Sequence, residues 1–390
     1  MVVSFIISTH NRRDVLLNTL NRIGALGLDE SEYEIHVIDN ASTDGTADAV
    51  GRMGQVHLYG EPTNRGPCAK NIAIPHSAGQ FIVFLDDDSY PQPGSIQRMI
   101  GHFAERPNLG AATFTITLPD GSRECSAYPN VFIGCGVGFR RAAIEQVGGL
   151  PDDFFMQAEE YDLSLRLLDA GWDVETFADL HVTHLKTLTS RVPARIMRLD
   201  VRNNLMLIAR YFPERWTRGF CVDWLWRYGL IACAKKQRRA FVLGALQGGM
   251  GILRQKWRPV SEETFERFTR IGFLERATRE ARNRHGARSV LLIDLGKNIL
   301  PYWLAAQACG LRVVAIADNR LAGRRYRGVP IVSDAEARPL AFDLAIVSNS
   351  SPEHAQQRAT VWRSIDTRPV IDLLAATCAG AEAARESAAA

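Results

Sequence analysis

Short apolar runs at residues 2–7, 34–38, 56–59 and 81–85 alternate with helix-patterned segments near 13–26, 43–52 and 66–77. Parallel strands need a crossover between them, and helices are what cover the two faces of the sheet that results. The pattern therefore predicts an α/β domain on a largely parallel sheet. In open sheets of this kind ligands bind beyond the carboxyl ends of the strands. The polar residues that follow the runs, 9–13, 39–44 and 86–88, are expected along one edge.

At 390 residues the chain is longer than one compact core usually holds, and its texture changes along its length. A glycine-rich stretch at 134–138 precedes a helix at about 140–147, a Gly148-Gly149 turn and an acidic helix from Glu159. Residues 190–285 read as helical, with Pro193, Pro213 and Pro259 as breaks. A second α/β alternation begins near 287, with strands expected at 290–293, 313–317, 329–332, 344–347 and 370–373, and the Ala-rich end at 379–390 reads as frayed. The expected organisation is an α/β domain at 1–205, a helical region at 206–285, a smaller α/β domain at 286–376 and a tail at 377–390.

Bulk properties exclude several classes. A net charge of +3 gives no chain-wide basic field for nucleic acid. Seven scattered cysteines without CxxC spacing predict reduced thiols in a cytoplasmic protein, and neither a disulfide framework nor a zinc site. No apolar run approaches the ~20 residues of a membrane-spanning helix, and the first run is too short for a signal peptide. Any membrane contact would be peripheral.

Asp86, Asp87 and Asp88 directly follow the apolar run 81–85. Adjacent carboxylates repel one another unless a cation neutralises them, and Mg²⁺ or Mn²⁺ prefer oxygen ligands shared with substrate phosphates. A solvated acidic turn is the alternative, and placement after a buried strand favours the ion. Glu159 and Glu160 open the acidic helix, where anions cap the free amides; one of them could equally be a general base. Asp162 and Arg166, four apart, read as a structural ion pair. His181 and His184 follow a strand near 174–177 and gain meaning only beside the aspartates, since imidazole binds Mn²⁺ but is more often a surface or core group. Asn64-Arg65-Gly66-Pro67, ahead of Lys70, is either an anion-binding helix start or a plain turn.

In chain order, Ser8-Thr9-His10-Asn11-Arg12, the stretch 39–46, Asn64-Arg65-Gly66, Asp86-Asp87-Asp88 and Glu159-Glu160-Tyr161-Asp162-Leu163 closely resemble family 2 glycosyltransferases of the GT-A fold, over about residues 1–205. The resemblance implies that Thr9, Arg13 and Asp39 contact the base and ribose, and that Asn64, Gly66 and Lys70 line the nucleotide pocket. It matches Asp86 to Asp88 with the family's DXD motif, Asp88 as metal ligand, Asp86 as its partner and Asp87 facing the ribose or donor sugar. Glu160 matches the base that deprotonates the acceptor hydroxyl, one methylene longer than the commoner Asp. His184 matches the histidine that completes the metal site in several members. The implied activity is an inverting, Mn²⁺- or Mg²⁺-dependent hexosyl transfer from a nucleotide-diphosphate sugar to a hydroxyl acceptor.

Gly148-Gly149-Leu150, Phe154-Phe155, Gly171-Trp172, Arg202-Asn203 and Tyr211-Phe212-Pro213 further resemble the rhamnosyl- and galactofuranosyl-transferase-like branch of bacterial surface-polysaccharide synthesis. That branch implies a glycan or lipid-linked acceptor at the cytoplasmic membrane face. Residues 224–228 and 235–239 offer aromatic and basic anchors for such a surface, or form an ordinary packed helix.

Residues 290–296, leading into a helix with Asp318 closing the next strand, resemble the dinucleotide-binding half of Rossmann-like proteins. With Gly296 as the middle glycine, Asp294 and Ile299 occupy positions where pyrophosphate approach and tight packing favour glycine. The expectation is a degenerate Rossmann-like module for packing, homo-oligomerisation or another ligand. Two other functions stand against the transferase: a catalytically silent nucleotide-sugar-binding scaffold, and an NAD-dependent sugar-modifying enzyme, which the broken glycine pattern disfavours.

Overall fold

The computed structural model describes residues 1–186 and 192–375; the Ala-rich end expected at 379–390 lies outside them. Contacts divide the chain into two compact units, one of Met1–Ser126, Asn130–Tyr211 and Gly248–Val260, the other of Ala127–Pro129, Phe212–Gln247 and Ser261–Ala390.

The first unit runs β1 (Val3–Thr9), α1 (Arg13–Gly24), β2 (Tyr33–Asn40), α2 (Thr46–Val50), β3 (Val56–Glu61), β4 (Phe81–Asp86), β5 (Ser89–Pro91), α3 (Ser95–Glu105), β6 (Leu109–Thr117), β7 (Arg123–Glu124), β8 (Gly136–Arg140), α4 (Arg141–Val147), α5 (Glu159–Asp169), β9 (Asp173–His184) and α6 (Pro193–Tyr211). Among the described residues nine strands form one sheet in the order β3-β2-β1-β4-β8-β6-β9-β5, with β7 beside β6. The half built from β3, β2, β1 and β4 is parallel, as the alternation requires. β8 then enters antiparallel to β4, so the whole sheet is mixed.

Phe5, Ile7, Val37, Val83 and Leu85 pack against Leu16, Leu20 and Ile23 of α1. Ile6, Ile38 and Phe84, on the other face of the same strands, are buried too, which is why these runs are continuously apolar. The segment 66–77 forms two 3₁₀ turns, Gly66–Ile72 and Ile74–His76, in place of one helix. Pro75 lacks the N–H that would continue an α-helix, and its ring clashes with the preceding turn.

The second unit contains α7 (Glu214–Ala234), the first turns of α8 (Arg238–Arg254), α9 (Glu262–Thr269), α10 (Ile271–His285), β10 (Ser289–Ile293), α11 (Ile299–Ala308), β11 (Arg312–Ala317), β12 (Arg324–Tyr326), β13 (Val329–Val332), α12 (Asp334–Ala337), β14 (Leu344–Val347), α13 (Pro352–Ile365) and β15 (Val370–Ile371). Its strands order as β12-β13-β11-β10-β14-β15, parallel except for the hairpin strand β12. That strand was not anticipated; its turn is the pair Arg327-Gly328, both with positive φ (47° and 83°). In α7, Trp224 and Tyr228 are buried, so of the three aromatic anchors proposed from the sequence only Trp226 is exposed. No helix among the described residues is long and apolar enough to cross a membrane.

Candidate active site

Strand register brings the polar ends together. Thr9 pairs with Asp39 across β1 and β2, and Ser8 pairs with Asp86 across β1 and β4. On the far side β5 pairs with β9, setting Ser89 opposite His184 and so delivering the histidine to the aspartate run. The strand expected near 174–177 thus extends to His184 itself, past a register shift between Phe114 and Thr115 on its neighbour. A cleft of about 710 Å³ opens here, lined by Thr9, Arg12, Lys70, Asp86, Glu160 and His184 among others.

The three aspartates have different surroundings. Asp86 is 40% exposed and accepts from Lys70 Nζ at 3.0 Å. The lysine itself is buried, and its ammonium also donates to the Gly134 carbonyl at 3.1 Å. Asp87 is buried; it accepts from Thr9 Oγ1 at 2.8 Å and pairs with Arg12 Nη1 at 2.7 Å. Burial pushes its carboxyl up to about 7, against the opposing pull of Arg12. Asp88 takes Arg12 Nη2 at 2.7 Å on one oxygen and lies 3.2 Å from His184 Nε2 on the other. His184 Nδ1 lies 2.8 Å from Glu124. Burial alone would lower the His184 imidazolium; hydrogen bonds with Asp88, Cys135 and Glu124 reverse this and raise it to about 12.

This corner suits a cation. Asp86, Cys135 and His184 offer donor atoms within 4.8 Å of one another, and Asp88 adds a carboxylate against His184. Burial pushes the Cys135 thiol up to about 11, so it stays protonated. Two carboxylates remain to meet a hard divalent ion, and His184, protonated while it is paired with Asp88 and Glu124, would join them only by giving up that proton. A second donor group, Glu34, His36 and His57, sits toward the opposite ends of the strands. There Glu34 already accepts from Ser4 and from the Ala78 and Gly79 amides.

Glu160 lies one residue into α5, with its Oε1 3.5 Å from the Gly134 amide. Glu159 is buried, its Oε2 without a hydrogen-bond partner, and burial together with the neighbouring Glu160 charge raises its carboxyl well above the usual range. Glu159 is thus the buried member of the pair and Glu160 the one more open to the cleft. The helix is approached through two successive left-handed non-glycine residues, Gln157 (φ 72°) and Ala158 (φ 66°). Asn203 of α6, wholly buried, donates to the Met156 and Gln157 carbonyls at 2.8 Å each and holds that turn. Asp162 makes the pair with Arg166 at 2.7 Å and also accepts from Tyr211 at 2.8 Å.

Of the residues singled out from the sequence, Thr9, Asn64, Gly66, Lys70, Asp86, Asp87, Glu160 and His184 line the cleft. Gly66 is required sterically: its φ is 65°, and an added Cβ would stand 2.3 Å from the Phe155 carbonyl oxygen. Asp39 is buried at the end of β2 and accepts from the Ser42 amide, and Asp88 is held behind the cleft by Arg12 and His184. Arg13 is not among the residues that line the cleft. Its side chain is 46% exposed and pairs with Asp14, and its amide donates to Asp44. The neighbouring Arg12, which precedes α1 outside helical geometry (φ −143°, ψ 43°), turns inward instead and pairs with Asp87 and Asp88. Glu124 was likewise missed, since nothing in a two-residue strand distinguishes it.

A family model described as glycosyl transferase family 2 matches residues 4–129. Residues 4–129 thus carry a glycosyltransferase family 2 domain. Glycosyltransferase AglE of Haloferax volcanii is 24% identical over 196 residues, covering 45% of this chain and 64% of AglE. The N-acetylglucosaminyl-diphospho-decaprenol L-rhamnosyltransferase of Mycobacterium tuberculosis is 28% identical over 247 residues, covering 48% of this chain and 80% of that protein. Among solved structures, S. aureus TarS superposes with a TM-score of 0.50 at 14% identity, covering 84% of this chain and 56% of TarS, a likeness of fold. The glycosyltransferase domain is thus an α/β unit whose strand ends carry the family's polar segments.

In the second unit the corresponding edge is closed by the chain itself. Asn298 and Ser350 donate to the Ala127 carbonyl at 2.7 Å each, beyond the ends of β10 and β14, where the strand order reverses. Asp294 adopts the left-handed conformation expected of the first fingerprint glycine (φ 74°), but its carboxylate is tied to Arg358 at 2.6 Å. Asp318 accepts from the amides of Leu295, Arg320 and Leu321.

Proposed function

We propose that the glycosyltransferase domain transfers a hexosyl group, with inversion, from a nucleotide-diphosphate sugar to a hydroxyl acceptor in cell-surface glycan synthesis. The observation that carries this reading is the shared cleft: Glu160, the more open carboxylate of its pair, faces the same space as Asp86 and His184. Thr9, Asn64 and Gly66 would hold the nucleotide, with Lys70 beside its phosphates and Asp87, kept in place by Arg12 and Thr9, at the ribose or donor sugar. Arg13 and Asp39 would act at the base from outside the cleft lining.

Asp86, Asp88 and His184 would hold a Mn²⁺ or Mg²⁺ ion, which when bound neutralises charge developing on the departing diphosphate. Glu160 takes the proton of the acceptor hydroxyl as its oxygen attacks the anomeric carbon. The carbon–oxygen bond to the diphosphate breaks on the opposite side, and the configuration inverts. A positioned base of this kind contributes ~10²–10⁴-fold. The name of the mycobacterial relative specifies a lipid-diphosphate acceptor, which supports a lipid-linked or glycan acceptor here and work at the cytoplasmic face of a membrane.

Calorimetry of UDP-, dTDP- and GDP-sugars with and without Mn²⁺ tests the ion. Asp88→Ala should weaken Mn²⁺-dependent binding at least about tenfold, the lower end of what even outer-shell changes do at metal sites. Unchanged Mn²⁺ dependence in that variant would remove Asp88 from the site.

A further inference from the structure

Helix α8 is built inside out. Ala240, Gly244 and Gly248 form its buried side, and Gly251, on the same side, packs on Met206. Its large apolar residues face outward: Val242, Leu243, Leu246, Met250 and Leu253 are 50–87% exposed, and Trp257 just beyond the helix is 55% exposed. Their spacing of three and four residues places them on one stripe, roughly opposite the glycines. A helix serving only the core would reverse this arrangement. Lys235, Lys236, Arg238 and Arg239 flank the stripe at one end, and Arg254, Lys256 and Arg258 at the other, all exposed. No acidic residue occurs between Asp223 and Glu262.

We infer that the outward face of α8 docks on an anionic lipid surface. The aliphatic stripe would enter the headgroup–acyl boundary while the cations at both ends meet lipid phosphates, the division of labour of an in-plane helix. Charge argues against a second copy of the chain as the occupant, since two such faces would oppose seven cations with seven. The inference needs no assumption about donor, acceptor or catalysis, so it stands or falls separately from the proposed transfer.

Flotation with vesicles of equimolar phosphatidylglycerol and phosphatidylcholine, compared with phosphatidylcholine alone, tests it on the full chain. The protein should partition at least about tenfold more strongly onto the anionic vesicles, a preference that added salt weakens. Leu246→Glu/Leu253→Glu, at exposed positions that leave the melting curve unchanged, should abolish flotation. Lys235→Gln/Lys236→Gln/Arg238→Gln/Arg239→Gln should erase the preference for anionic lipid. Failure of the wild type to float, equal flotation of the Glu variant, or a dimer in solution that the Glu variant dissociates would each overturn the inference.

Discussion

Asp87 sets burial against charge in the cleft. Its raised carboxyl, about 7 in the folded protein, exceeds an unfolded value near 4. Folding therefore takes up a proton between those values, and the ionised carboxylate costs stability as pH rises through that window. Asp87→Asn lacks this titration. The stability difference, variant minus wild type, should climb from about pH 4 to 7 by at most about 1.4 kcal/mol per pH unit and flatten above. Urea unfolding in EDTA at several pH values measures it, and a flat difference would show that Arg12 and Thr9 compensate the burial fully. At this scale the sequence was a good guide to which segments matter and a poorer one to which side chain turns inward. Arg12 and Arg13 are identical in type and adjacent, and only the start of α1 separates their directions.

At the scale of elements, α5 depends on a turn that costs energy. Each left-handed non-glycine residue costs roughly 1–2 kcal/mol, and the two hydrogen bonds from Asn203 offset that cost. Asn203→Ala should lower stability by roughly 1–3 kcal/mol, because two part-buried carbonyls lose their donor, and should lower turnover by displacing Glu160. Adding Ala158→Gly to that variant should recover about 1 kcal/mol, since glycine adopts positive φ freely. Chemical unfolding of the single and double variants decides; no recovery would mean that the turn is not the strained part. The apolar runs predicted β1, β2, β3 and β4 because period and burial are local properties. The 3₁₀ character of 66–77 and the Asn203 clamp escaped, the first through proline's missing donor and the second because its partners are about 46 residues apart.

For the whole molecule, two α/β units were legible because each repeats strand and helix in order. The mixed sheet was not, since β8 joins it through long-range antiparallel pairing that no local pattern encodes. In the second unit the sequence located the broken fingerprint, while only the structure revealed Ala127 on the donors Asn298 and Ser350. NAD⁺ titrated into the protein should accordingly give no submillimolar binding by calorimetry; tight binding would require that segment to leave its place. The central claim concerns the first unit and rests on Glu160. It is tested most directly by mass spectrometry of products from a nucleotide-sugar panel with Mn²⁺ and a polyprenyl-diphosphate-sugar acceptor, comparing wild type with Glu160→Gln. The account predicts a glycosylated product from the wild type and transfer reduced at least about 10²-fold in the variant, with donor binding intact. Wild-type rates of transfer from Glu160→Gln would contradict it.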